Sequence, residues 1–132
     1  MSSEQSRKAL QSQLFPGGIP RLWCPTLTHF RAARQPDVTR IQAHFTTLSA
    51  HVKGILVPGS TGEGWEMSDA DISELLTIAT DLAARLEMKV LIGVLKTTTE
   101  EAVHCIRSMQ SFLDLSAVVG FTVCPPKGSE LG

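Results

Sequence analysis

Ser60 and Thr61 stand between Gly59 and Gly62, directly after the apolar run Gly54-Ile55-Leu56-Val57 and Pro58. Glycine lets a backbone turn tightly and approach a ligand closely. Successive N–H groups in such a turn can form a nest for an anion. The two hydroxyls add two more donors, so Ser60, Thr61 and Gly62 together suit a small carboxylate. The segment is not a P-loop, because no Lys-Ser/Thr follows, and it does not match G-x-G-x-x-G. A βα turn that uses glycine only for its geometry has the same composition, so the loop alone does not decide between the two readings.

Other reactive side chains carry less. Lys96 and Lys127 follow predicted strands, where an amine could form an imine. Solvated loop lysines are the simpler reading. Cys124 also ends a predicted strand, but His104 adjoins Cys105 on a helix, so no Cys–His nucleophile pair arises. A buried, inert thiol is expected instead. His44 and His51 share a rough helix face and lack a third ligand for a metal. Glu63 and Glu66 flank Trp65 and could exchange protons, although Glu63 is read as fixing the loop through backbone N–H groups. His29 closes the first predicted strand and could face a ligand.

The elements that must position these residues follow from periodicity. Met1 to Leu14 reads as a mobile arm and Phe15-Pro16-Gly17-Gly18 as a turn, which sets residues 1–18 apart from 19–132. A first strand is expected over Arg21 to Phe30, limited by Pro25. Asp37 can cap a helix with the stripe Val38, Ile41, Phe45, Leu48 and Val52. Gly54 to Val57 is a short strand apolar on both faces, which points to a parallel sheet. Ser68 and Asp71 have capping-box spacing ahead of Ile72, Leu75, Leu76, Ala79, Ala83 and Leu86. Val90 to Leu95 is a third strand. Thr98 and Glu101 form another box before the stripe Val103, Ile106, Met109 and Leu113. Ala117 to Val123 is a fourth strand, stopped by Pro125-Pro126. The order βαβαβαβ argues for a parallel α/β sheet. It fits both an open doubly wound sheet and part of a closed barrel.

Composition narrows the class. The chain has 132 residues, 42% of them apolar and 19% charged, so it should fold. A net charge of -1 gives no reason to expect nucleic acid or a membrane surface as partner. No stretch is apolar enough to span a bilayer, and the polar N-terminus shows no secretory signal, so a cytoplasmic location is the default. Three widely spaced cysteines without a C-x-x-C pair suit reduced thiols and no zinc site. No metal or cofactor is expected.

Three landmarks give a family resemblance. Pro25-Thr26-Leu27-Thr28, Gly59-Ser60-Thr61-Gly62-Glu63, and Val90 to Val94 with Thr98-Thr99-Glu100 fall in one order. In that order and spacing, Ile19 to Val123 resembles the first four strands of the dihydrodipicolinate synthase and N-acetylneuraminate lyase family. The resemblance implies a partial (β/α)8 barrel, about half of the roughly 250 residues such a barrel needs. It also implies class I aldolase or lyase chemistry on pyruvate or another 2-oxo acid. In that family a lysine forms a Schiff base, and the protonated imine serves as electron sink. The Ser/Thr pair binds the carboxylate, a role that passes to Ser60 and Thr61. The first hydroxyl, here Ser60, also joins a proton relay.

Two departures stand out. The family lysine lies on the sixth strand, beyond the four strands legible here, so the chain alone is expected to be inactive. The family also places Pro-Tyr-Tyr after strand four, where this chain reads Cys124-Pro125-Pro126-Lys127 and contains no tyrosine. The competing expectation is therefore a catalytically silent fragment or pseudoenzyme, acting as a binding or structural α/β module. For a full-length parent the resemblance implies a homo-oligomer. The inward face of all four strands is expected to be apolar and uncovered.

Overall fold

The computed structural model describes residues 2–126. Four parallel strands form one open sheet in the order β1-β2-β3-β4. They are β1 (Trp23–Pro25), β2 (Gly54–Val57), β3 (Lys89–Val94) and β4 (Val118–Val123). Helix α1 (Ser3–Leu14) precedes β1, and α2 (Val38–Ser49), α3 (Asp69–Arg85) and α4 (Thr99–Ser108) fill the three crossovers.

The strand order settles what alternation left open. A doubly wound sheet reverses its order part-way, which puts helices on both faces. Here each strand pairs with its predecessor and successor alone. Three crossovers that advance in one direction with one hand place their helices on one face. This is the arrangement of part of a TIM barrel, whose remaining face is covered by closure.

The covered face holds the core. Ile55, Val57, Val90, Ile92 and Val94 point into it and meet Ile41 and Phe45 from α2, and Ile72, Leu75, Leu76 and Ala79 from α3. All are buried. The helix starts follow their caps. Asp37 Oδ1 accepts from the Arg40 N–H, and Ser68 and Asp71 close a reciprocal capping box on α3. Thr98 caps α4 through the Glu101 N–H, but the Glu101 carboxylate accepts from Thr97 Oγ1 instead of completing the box.

Four expectations change. The segment read as a mobile arm forms α1, with a Ser2–Gln5 capping box and no buried residue. The first strand is far shorter than Arg21 to Phe30. Thr26 N–H still reaches Leu56 O at 3.2 Å, but the next N–H, of Leu27, is taken by His44 Nε2 at 3.1 Å. The next residue of β2 to donate back would be Pro58, which has no N–H, so the ladder stops there. In α4 the inward stripe is Ala102, Cys105, Ile106 and Met109, whereas Val103 and Leu113 are exposed. That stripe has the helical spacing i, i+3, i+4, i+7 and keeps Ile106 and Met109 of the expected one, while a 3-10 turn at Gln110–Asp114 ends the helix before Leu113 could join it. Finally, the face turned away from the helices is not uniformly apolar. Strand register puts Leu56 and Leu91 there beside Gly54, Gly93, Gly120 and Thr122.

Candidate functional site

Gly59 to Glu63 lies directly after β2, at the C-terminal end of the sheet. Its turn is closed by Gly62 N–H to Gly59 O (3.1 Å), Glu63 N–H to Ser60 O (3.1 Å) and Gly64 N–H to Gly59 O (3.0 Å). The Gly62 N–H is therefore spent inside the loop. Among the described residues, the N–H groups of Ser60 and Thr61 have no backbone acceptor. The side chains of Ser60 and Thr61 are exposed. Two adjacent N–H groups and two hydroxyls thus remain for an anion.

Close packing fixes where this loop sits. A Cβ on Gly62 would lie 2.5 Å from Thr26 O and 2.8 Å from Thr28 Oγ1. Any side chain there would push the loop off the end of β1. A Cβ on Gly93 would collide with the carbonyl oxygen of Pro58, so β3 can pass under the loop only as glycine. Glu63 adopts φ 64°, the left-handed region uncommon for residues with a Cβ. Its side chain is exposed, and no hydrogen bond to it is found among the described residues. The backbone of Glu63, not its carboxylate, holds the loop.

Trp65, on the 3-10 turn Gly64–Glu66, donates its indole N–H to Ser60 Oγ at 2.9 Å. Beside this pair opens a cleft of about 550 Å3, lined by Ser60, Trp65, Thr97, Cys124, Pro125 and Pro126. Cys124 N–H continues the ladder to Val94 O at 3.0 Å. Where the family resemblance implies tyrosines, this wall is a thiol and prolines.

A second cleft, of about 690 Å3, lies across Trp65 and contains Asp69, Lys96, Glu100, Glu101 and His104. Lys96 Nζ is 3.0 Å from Asp69 Oδ1 and donates to Met67 O at 3.2 Å. Asp69 Oδ1 is buried and meets Lys96 as an ion pair rather than through an aligned hydrogen bond. Asp69 Oδ2 is 2.7 Å from His104 Nδ1. Burial raises the Asp69 pKa, but the contacts with the Lys96 ammonium and with His104 outweigh it and hold the carboxyl below its ordinary value. Cys105 beside it is buried, and burial with the Asp69 charge pushes its thiol pKa up, which suits an inert thiol. With its ammonium engaged by Asp69 and Met67, Lys96 is a structural cation rather than a free amine. Lys127 lies outside the described residues.

The histidines separate. His44 accepts the Leu27 N–H through Nε2 and stacks edge-on against His29, ring centroids 5.4 Å apart. Burial and then the neighbouring His29 lower its pKa, so His44 serves as a neutral clamp between α2 and the end of β1. His29 Nδ1 is buried without a hydrogen-bond partner among the described residues. His51 is exposed and takes no part. Among the described residues no group of three or more His, Cys, Asp or Glu could hold a metal, and no helix is long and apolar enough to cross a membrane.

No family model and no curated protein sequence matches the chain. Solved structures do match. A putative dihydrodipicolinate synthetase from Pseudomonas aeruginosa aligns with TM-score 0.65 and 24% identity over 83% of this chain and 37% of its own. Dihydrodipicolinate synthase from Aquifex aeolicus aligns with TM-score 0.66 and 22% identity over 83% and 36%. The chain has the fold of part of a dihydrodipicolinate synthase barrel. CdNal from Clostridium difficile, solved in complex with mannosamine, aligns similarly, with TM-score 0.65 and 18% identity over 84% and 37%. At these identities the likeness is one of fold, and the chain spans little more than a third of each structure's length. In TIM barrels the C-terminal strand ends carry the chemistry. Gly59–Glu63, Lys96 and Cys124 all lie at that end of the dihydrodipicolinate synthase-like sheet.

Proposed function

We infer that this chain supplies the carboxylate-binding βα units of a lyase of the dihydrodipicolinate synthase and N-acetylneuraminate lyase family, acting on pyruvate or another 2-oxo acid. The observation that carries this reading is the β2 loop. Its Ser60 and Thr61 N–H groups, which have no backbone acceptor among the described residues, and their exposed hydroxyls lie at the strand end where barrels of this fold carry their chemistry. A 2-oxo acid carboxylate would accept from Thr61 and Ser60, leaving its ketone for an amine. Condensation of a lysine amine with that ketone forms an imine and releases water. The protonated imine then takes up the electron pair of the adjacent C–C or C–H bond as it breaks. The lysine has to come from outside these four strands, because Lys96 is engaged by Asp69 and Met67. The chain by itself is then a binding half without turnover, in a cytoplasmic homo-oligomer.

A second reading is a catalytically silent module that keeps the carboxylate loop. Cys124, Pro125 and Pro126 on the cleft wall favour it, since no tyrosine hydroxyl stands there to relay a proton.

Pyruvate binding tests the site shared by both readings. Each lost hydrogen bond to a charged group costs about 1.5–3 kcal/mol. Ser60→Ala with Thr61→Val should therefore weaken pyruvate by at least about tenfold in a titration followed by NMR. Unchanged affinity in a folded double variant removes the site.

A further inference from the structure

The geometry points to Trp65 as a positioning and specificity residue of the carboxylate site: its indole fixes the Ser60 hydroxyl as a donor and walls that site off from the charged cleft beside it. This inference rests on the reading of Ser60 given above.

The bond between Trp65 Nε1 and Ser60 Oγ is 2.9 Å long. An indole N–H can only donate, whereas a hydroxyl both donates and accepts. Ser60 Oγ must therefore be the acceptor here. Its own proton has no acceptor among the described residues and remains for a ligand. A free serine rotor presents its proton or a lone pair with little preference. The indole fills one lone pair and leaves the O–H as the group offered to the cleft. A carboxylate oxygen satisfies that donor; an ammonium, which has no acceptor, does not.

Trp65 is held in place by the turn that carries it. Gly64 packs beneath Gly59, its N–H bonded to Gly59 O at 3.0 Å, and Met67 N–H closes the 3-10 turn on Gly64 O at 3.3 Å. Trp65 and Thr97 line both clefts. On the Ser60 side the other walls are Cys124 and prolines, with no charged side chain. On the far side stand Asp69, Lys96, Glu100, Glu101 and His104. The indole is thus a partition between an uncharged subsite and a charged one. The ligand class that fits is a short 2-oxo acid with an apolar tail, its carboxylate on Ser60 and Thr61 and its tail against Trp65 and Pro125.

The experiment uses the full 132-residue chain labelled with 15N. Two tryptophans give two indole N–H resonances, and Trp65→Phe assigns them. Ser60→Ala should shift the Trp65 indole resonance without ligand, and pyruvate should shift it in the wild-type chain. Trp65→Phe should weaken pyruvate about two- to tenfold, the range of one ordinary hydrogen bond. In the Ser60→Ala background the same change should cost less than twofold, because the hydroxyl it positions is gone. A purely structural tryptophan would weaken both backgrounds equally. Additive effects, or an indole resonance indifferent to Ser60→Ala, overturn this inference alone. Failure of the wild-type chain to bind pyruvate overturns it together with the carboxylate reading. If Trp65→Phe does not fold, Trp23→Phe assigns the resonances instead, and the response of the Trp65 resonance to Ser60→Ala still decides.

Discussion

The two faces of the sheet are built to different rules. On the helix-covered face, Ile55, Val57, Val90, Ile92 and Val94 are completely buried and interlock with α2 and α3. On the opposite face the same strands present two half-buried leucines among glycines and Thr122. The covered face is a finished core and stabilises the chain. Away from Trp23, whose ring lies over Gly54, the bare face is sparse in side-chain volume, so backbone and loop can pass close together, as Gly93 does beneath Pro58. Stability is invested in one face, and the freedom to build a site in the other.

Neighbouring residues of β3 measure the contrast most strongly. Ile92→Ala opens a cavity in the core and should cost about 2–5 kcal/mol in urea unfolding. Leu91→Ala, one residue away on the bare face, should cost less than about 1.5 kcal/mol, because little is buried there to lose. Equal losses would mean that the bare face is covered in solution.

That possibility has its own measurement. A half barrel has two unpaired edges, here β1 and β4, and an uncovered face. We expect the 132-residue chain to self-associate as concentration rises in analytical ultracentrifugation. A monomer at high concentration with one sharp melting transition would show that glycine and threonine have made this face tolerable to water.

The smallest effect is a pH dependence at the seam between α2 and β1. His44 has a lowered pKa in the folded chain, against about 6.5 when unfolded. Folding therefore favours its neutral form. Its contribution is complete above the unfolded pKa and is lost as pH falls below about 6.5 toward the folded value. His44→Gln keeps an acceptor for the Leu27 N–H but cannot titrate. Melting temperatures of the variant should fall less between pH 7 and pH 5 than those of the wild type. Parallel curves would place the acid-sensitive group elsewhere.

Much of this was legible in the residues. Gly54 to Val57 announced a buried strand, Ser68 and Asp71 announced the start of α3, and Gly59 to Gly62 marked the loop. These features are local, set by periodicity, capping and turn chemistry. Strand order was not legible from periodicity, because βαβ alternation is common to sheets wound one way and both ways; it was legible only through the three landmarks shared with the family barrel. Nor was the junction of Asp69, Lys96 and His104. Asp69 and His104 are 35 residues apart and meet only because α3 and α4 start side by side at the end of β3. His44 escaped for the same reason, since its partner Leu27 lies across a crossover. The bond from Trp65 to Ser60 is different. It spans five residues, and a tryptophan beside a glycine-rich loop was a signal available in the sequence.

The strand order has one further consequence, for how the chain holds together. Each βα unit touches its immediate neighbours, and no strand reaches past the next. Energetically this resembles a short solenoid, where stability is the intrinsic stability of each unit plus the coupling at each junction. Such an array frays from its ends. β1, with three residues in the ladder, is the weakly coupled terminal unit, whereas β4 pairs with β3 from Val118 to Val123. The Ser60–Thr61 loop sits instead on β2, between β1 and β3. Opening at β1 can therefore expose backbone to hydrogen exchange and release the Thr26 side of the Ser60 turn, while the approach of Pro58 to Gly93 on β3 still holds the other side.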